Sequence, residues 1–249
     1  MNNLKPKFNF INFDEIDSTN VYVKNNYKKL QHLTVVTANF QSAGRGRLGK
    51  NFVSPKGTGA YFSLLLKENI SPENSKFLTV MAAVAVAETI EHITSKQVKI
   101  KWVNDVYIEG KKVCGILTEG LLNSQNNTFK YAVIGIGINL ITPQNGFPDE
   151  ISEVATALFG NTCSDERKNE IINEILYRFY DMFYGKDTTF IDRYREKSFL
   201  NGKKIDIIKG NSTESATALY IDENCNLVAR KETTGDIIHI FSGDVSIKT

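Results

Sequence analysis

Residues 41–50 read Gln-Ser-Ala-Gly-Arg-Gly-Arg-Leu-Gly-Lys, so three glycines, two arginines and a lysine fall within ten positions. Glycine lets a backbone approach a ligand closely and adopt positive φ. Arginine offers a planar, permanently charged fork of donors that suits phosphate or carboxylate. The stretch reads as an anion-binding loop, with a solvated basic turn as the plain alternative. Gly44, Gly46 and Gly49 also match G-x-G-x-x-G. The dinucleotide form of that motif needs a helix directly after it. Pro55 and Gly57 break a helix there, so a Rossmann loop is rejected.

Other polar groups gather at four places. Asp17-Ser18-Thr19-Asn20 precedes a helical pattern, so Ser18 and Thr19 cap that helix, contact a ligand, or do both. Lys101-Trp102-Val103-Asn104-Asp105 puts a lysine, an amide and a carboxylate at a strand end. Lys111-Lys112 stands beside Cys114-Gly115, as a solvated turn or as part of a cationic cluster with Arg47 and Lys101. Such a cluster would take a polyphosphate. Asp105 would then suit Mg²⁺, which is held by one or two carboxylates plus substrate phosphates; a turn carboxylate bonding backbone is the alternative. Gly135 and Gly137 lie on one face of a strand that ends at Asn139, through close approach of a ligand or of a helix. His32, His92 and His239 show no triad logic and read as structural. The three cysteines, at 114, 163 and 225, have no nearby histidine partner and no metal spacing.

The elements that position these groups follow from periodicity. Strands are expected at 8–13, 34–40, 59–66, 98–102, 105–108, 112–119 and 129–138, with a hairpin turn at Glu109-Gly110-Lys111. Helices are expected at about 20–30, from Pro72 to about 94, at 165–184 and at about 189–199. From residue 200 the pattern becomes five short strands, at 203–208, 215–221, 227–231, 236–241 and 244–247, which suggests a small β-barrel. Hairpins mixed with helices, rather than strict alternation, give an α+β class with a mixed, largely antiparallel sheet. The division expected is 1–199 for the larger domain and 200–249 for the smaller.

The chain has 249 residues and a formal net charge of +2, too small for a general nucleic-acid or membrane-surface role. Its N-terminal residues lack a signal-peptide hydrophobic segment, and the longest apolar run, residues 80–87, is too short to span a bilayer and reads as a buried helix. Scattered, odd-numbered cysteines point to a reducing compartment. A cytoplasmic protein is expected.

Taken in order, Asp17-Ser18-Thr19-Asn20, Gln41-Ser42-Ala43-Gly44-Arg45-Gly46-Arg47, Lys101-Trp102-Val103-Asn104-Asp105, Lys112-Val113-Cys114-Gly115-Ile116-Leu117 and Gly135-Ile136-Gly137-Ile138-Asn139 resemble the ordered motifs of the biotin protein ligases. Each motif is weak alone, but five in order are specific. The resemblance implies the class II synthetase-like catalytic fold of the biotin–lipoate ligases, followed by an SH3-like domain. It implies that biotin and Mg-ATP form biotinyl-5′-AMP, from which biotin passes to a lysine of an acceptor domain. By resemblance, Ser18, Thr19, Asn20, Gln41, Gly44, Arg45 and Gly115 bind biotin. Arg47, Phe52, Asn104, Lys112 and Asn139 face the nucleotide. Arg47, Lys112 and Lys101 serve catalysis, and Asp105 the metal. The acceptor implied is the biotin carboxyl carrier domain of acetyl-CoA carboxylase or pyruvate carboxylase, and two copies pairing edge to edge is a known arrangement for the family.

Three departures stand out. Val103 takes a place where the family often has proline. Phe52 stands where a tryptophan often follows the basic loop, offering a ring face without an indole N–H. Seventeen residues precede Ser18, too few for the helix-turn-helix domain of bifunctional members, so no operator DNA binding is expected. The rivals are a lipoate or octanoate ligase or transferase of the same fold and, more remotely, a non-enzymatic RNA-binding module suggested by Gly-Arg-Gly-Arg and the small barrel.

Overall fold

A computed structural model describes residues 6–123, 125–185, 187–210, 212–241 and 243–247. Seven strands form the main sheet: β1 (Asn9–Ile16), β2 (Thr34–Gln41), β3 (Gly59–Leu66), β4 (Val98–Lys101), β5 (Asp105–Ile108), β6 (Lys111–Asn123) and β7 (Thr128–Asn139). Their spatial order is β1-β2-β3-β7-β6-β5-β4. The first pair is parallel and the others are antiparallel. Helix α1 (Thr19–Asn26) makes the crossover that a parallel pair requires. This is the α+β class expected from the pattern, with strand ends shifted by a few residues.

Helix α2 (Pro72–Thr94) starts where the sequence signals it. The Ser71 side chain accepts from the Asn74 amide, Pro72 fills the first turn, and Ser95 ends the helix at φ 55°. Every residue from Val80 to Ala87 is buried. By length and hydropathy α2 could cross a bilayer, but 67% of its most apolar window is buried inside the protein. It packs on the sheet and against α4 (Asp165–Tyr184) and α5 (Phe190–Lys197). Small alanines allow the close approach, and each buried valine or leucine contributes about 1.5–3 kcal/mol. A short helix, α3 (Asp149–Ser152), which the periodicity does not signal, lies between β7 and α4.

The hairpin between β5 and β6 turns on Glu109 and Gly110, both at positive φ (52° and 79°). That is the two-residue loop whose twist matches its strands. Lys111 therefore already belongs to β6, and Lys112 lies opposite Tyr107 while Asp105 lies opposite Gly115.

Five further strands, β8 (Lys204–Lys209), β9 (Ser212–Ile221), β10 (Leu227–Lys231), β11 (Ile237–Ile240) and β12 (Asp244–Ile247), form a second antiparallel sheet. Its order is β11-β10-β9-β8-β12, with the last strand returning to pair with β8, as expected for an SH3-like unit. The apolar core is continuous between the two sheets, running from α2 and β4 to Ile205, Ala216 and Leu227. The Trp102 indole N–H donates to the Cys225 carbonyl at 2.9 Å, and the Tyr194 hydroxyl to the Val103 carbonyl at 3.2 Å. These bonds tie the turn after β4 to both neighbours.

Candidate functional site

The opposite face of the main sheet is covered over part of its area by α1, above a small core of Val23, Val36, Leu65, Tyr131 and Val133. Beyond α1 the floor drops. One row of register partners is Ser63, Gly135 and Leu117, and the next is Tyr61, Gly137 and Gly115. A Cβ at Gly135 would lie 2.2 Å from Asn20 Oδ1, and one at Gly137 would lie 2.4 Å from the Phe52 ring. The paired glycines therefore serve close approach both of a helix start and of the basic loop. Between these parts lies a cleft with a cavity of about 150 Å³.

One end of the cleft is neutral. Ser18 precedes α1 with its side chain making no cap bond. The Thr19 amide is satisfied from elsewhere, by Gln41 Oε1 at 2.9 Å. Gln41 Nε2 donates to the Ser54 hydroxyl at 2.9 Å, which donates to the Phe52 carbonyl at 3.0 Å. Asn20 Nδ2 donates to Glu119 Oε2 at 2.9 Å and to the Leu117 carbonyl at 3.3 Å, while its Oδ1 faces the Ser63 hydroxyl at 2.5 Å. Ser18, Thr19, Asn20 and Ser63 are all buried. Buried polar groups without partners would cost about 1–3 kcal/mol each, so this bonding also holds the end rigid.

The other end is charged. Lys112 Nζ meets Asp105 Oδ1 at 2.7 Å. The Lys112 backbone is pinned on both sides, its amide to the Val154 carbonyl at 2.7 Å and its carbonyl by the Thr156 amide at 2.9 Å. Asn104 Nδ2 donates to the Ile116 carbonyl at 2.9 Å. Its Oδ1 accepts from Arg47 Nη1 at 2.9 Å, and Arg47 Nη2 donates to the Gly243 carbonyl at 2.7 Å. Lys50 pairs with Asp244, so the basic loop spans from the main sheet to the turn before β12. The loop is an irregular hairpin whose tip, Arg47–Gly49, is one 3₁₀ turn with Leu48 and Gly49 at positive φ. No α-helix follows its glycines.

Of the residues singled out from sequence, Ser18, Thr19, Asn20, Gln41, Arg45, Arg47, Phe52, Asn104, Asp105, Lys112 and Gly115 line the cavity. Asp105 meets a lysine rather than the backbone, and Lys112 sits on the wall rather than at the hairpin tip. Phe52 lies over Gly115 and Gly137, with its ring 6.4 Å from that of Tyr61. Three others stand behind the lining. A Cβ on Gly44 would lie 2.3 Å from the Phe52 carbonyl, so that glycine serves the loop's own closure. Asn139 donates to the Thr156 carbonyl at 3.1 Å, fastening the segment that pins Lys112. Lys101 pairs with Asp105 in the β4–β5 ladder; burial lowers its pKa, partly offset by Asp105. Periodicity does not reveal Lys50, Leu117 and Asp244 as lining residues; Lys50 belongs to the basic loop and Leu117 ends the motif that starts at Lys112, while Asp244 carries no local signal.

The histidines are engaged away from the cleft. His32 bonds the Tyr184 hydroxyl and accepts the Lys67 amide, His92 pairs with Glu174, and His239 with Asp222. Burial pushes the Cys114 thiol well up and that of Cys225 to about 12, which leaves both inert as nucleophiles at neutral pH.

Residues 12–139 match the model of the biotin/lipoate A/B protein ligase family. The chain is 35% identical over 218 residues to the bifunctional ligase/repressor BirA of Bacillus subtilis, covering 86% of this chain and 66% of that protein. It is 33% identical over 135 residues to the biotin–[acetyl-CoA-carboxylase] ligase of Paracoccus denitrificans, covering 53% of each. The chain thus spans just under two thirds of the Bacillus relative and about half of the Paracoccus one. Among solved structures, biotin protein ligase from Aquifex aeolicus in complex with biotin and ATP superposes with a TM-score of 0.76 at 29% identity, over 96% of this chain and 98% of that one.

Proposed function

The chain belongs to the biotin/lipoate A/B protein ligase family, and from that premise we propose that it is a biotin protein ligase. It activates biotin with ATP and transfers it to a lysine of a biotin carboxyl carrier domain, such as that of acetyl-CoA carboxylase or pyruvate carboxylase. The observation that carries this reading is one cleft that joins a neutral, amide- and hydroxyl-lined end to a charged end over a floor of glycines. A compact urea ring fits the first, and a carboxylate meeting a triphosphate fits the second.

In the first step a biotin carboxylate oxygen bonds the α-phosphorus, and the bond to pyrophosphate breaks. Two anions must meet, so fixed positive charge matters more than a nucleophile. Lys112 holds the carboxylate and α-phosphate together, and Arg47 closes over the adenylate from the loop. In the second step the acceptor amine attacks the anhydride carbonyl, the amide forms and AMP leaves, with Lys112 again opposing the developing charge. Ser18, Thr19 and Gln41 orient the urea ring, Asn104 serves the nucleotide side, and Asn139 supports it from behind by fastening the segment that pins Lys112. Among the described residues no cluster of three or more His, Cys, Asp or Glu forms a metal cage. Asp105 on the cleft wall instead suits Mg²⁺ that arrives with substrate phosphates, and Mg²⁺ would neutralise the departing pyrophosphate. We read residues 1–199 as the catalytic domain and 200–249 as the SH3-like domain.

The test is pyrophosphate exchange with biotin and with lipoate, followed by mass spectrometry for retained biotinyl-AMP. Exchange that depends on biotin supports the reading. Exchange with lipoate alone would transfer the protein to the other branch of the family.

A further inference from the structure

Phe52 and Lys112 meet over one glycine. A Cβ on Gly115 would lie 3.1 Å from Phe52 Cε2 and 3.3 Å from both Cε and Nζ of Lys112, so the ring and the end of the lysine chain flank the same spot on the cleft floor. Gly137, the register partner of Gly115, receives the rest of the ring. The three atoms nearest a Cβ at Gly137 all belong to Phe52, at 2.4, 2.7 and 2.9 Å. The ring thus fills the hollow that these two glycines leave. Tyr61, the partner of Gly137 on β3, meets it edge-on. The Phe52 backbone is fixed at the base of the basic loop: its amide donates to the Gly44 carbonyl at 2.9 Å, and its carbonyl accepts from the Ser54 hydroxyl at 3.0 Å. Lys112 Nζ pairs with Asp105 at 2.7 Å. That pair has to loosen when substrate anions arrive, because the same ammonium must meet them. A lysine chain is flexible, and an empty hollow beside it would admit rotamers that point away from Asp105.

We propose that Phe52 is a positioning residue for Lys112: its ring occupies the hollow of Gly115 and Gly137 and keeps the lysine chain on the Asp105 side, aimed at the reacting carboxylate and α-phosphate. The reaction named here rests on the biotin ligase reading. The place of the ring departs from the nucleotide-facing role that the family resemblance implies for Phe52. An ion pair exchanges for an incoming anion, whereas ring packing does not, so the ring still acts once the substrates are bound. Gly137 provides the seat, because any Cβ there would strike the ring first.

The experiment reads Lys112 both directly and through catalysis. Labelling of the ligand-free protein with acetic anhydride, followed by peptide mass spectrometry, gives the reactivity of the Lys112 amine. Phe52→Ala raises it at least about threefold, because the chain gains room and its ammonium leaves Asp105 more often. In pyrophosphate exchange at saturating biotin and ATP, the same variant lowers kcat about ten- to a hundredfold, the scale for a misplaced catalytic group, while KM for ATP moves less than about twofold. Gly137→Ala evicts the ring and gives the same two changes. Combined with Phe52→Ala it adds nothing, since the atoms it would strike are gone. Phe52 is partly exposed, so Phe52→Ala decides the outcome even where Gly137→Ala does not fold. Unchanged Lys112 labelling in folded Phe52→Ala overturns the inference. So does a raised KM for ATP with kcat kept, which would give the ring to the adenine. Absence of biotin-dependent exchange in the wild type overturns the ligase reading, and labelling then still shows whether the ring holds the lysine.

Discussion

The two ends of the cleft are assembled in opposite ways. At the neutral end every bond joins groups on the main sheet, on α1 or at the base of the basic loop, and most of those groups are buried. At the charged end the bonds reach across 57 positions from Arg47 to Asn104 and across 194 from Lys50 to Asp244. The Lys50 side chain is 68% exposed, while Arg47 and Asp244 are partly buried. Buried neutral bonds are costly to break and hold a shape before the ligand arrives. Exposed ion pairs are worth about 0–1 kcal/mol and exchange readily for a phosphate. On the proposed function, one end would recognise, and the other would close on a charged substrate and open again.

The contrast is broken most directly at Lys112. Lys112→Ala is expected to lower adenylate formation by about 10²–10³-fold or more with the fold retained, as for removal of a group that opposes transition-state charge. Pyrophosphate exchange beside circular dichroism checks it, and near-normal exchange would remove Lys112 from the chemistry. Gln41→Ala tests the neutral end. It takes the acceptor from the Thr19 amide and should raise KM for biotin about tenfold, since about 1.4 kcal/mol is one hydrogen bond of this kind, with KM for ATP unmoved.

A smaller effect is expected from Asp244→Ala, which releases Lys50 while Arg47 keeps Asn104 and the Gly243 carbonyl. Ligand-free protein should then be cleaved faster within residues 44–52, by up to about fivefold for a pair worth about 1 kcal/mol. Equal cleavage of variant and wild type would mean that the pair does not hold the loop.

Asp222 should leave activity untouched and alter only acid stability. Burial raises its pKa, but hydrogen bonds from the Asn226 side chain and amide, His239 and the Asn224 amide prevail, and the net shift is downward. A carboxylate with a lowered folded pKa stabilises above its unfolded value near 4, and that contribution is lost as pH falls through the folded value. Urea titrations between about pH 3 and 7 should show a flatter acid limb for Asp222→Asn. An unchanged limb would show that the cluster contributes nothing.

Much of this molecule is legible residue by residue. The turn at Glu109-Gly110, the capped start of α2 at Ser71-Pro72 and the five short C-terminal strands depend on neighbours in the chain, so composition and spacing reveal them. The same holds for the list of groups able to do chemistry, from Ser18 to Asn139. Their partners are another matter. Ser63 looks like a polar residue in an apolar strand, and Glu119 like the end of a hairpin. Asp244 reads as an ordinary strand start. Each gains its meaning from the register of β3, β6 and β7 and from where α1 and β12 come to rest. Chemical capability is a property of the side chain and travels with the sequence. Hydrogen-bond direction, and which charge opposes which, depend on distances of about 3 Å between residues far apart in the chain, and only packing sets those.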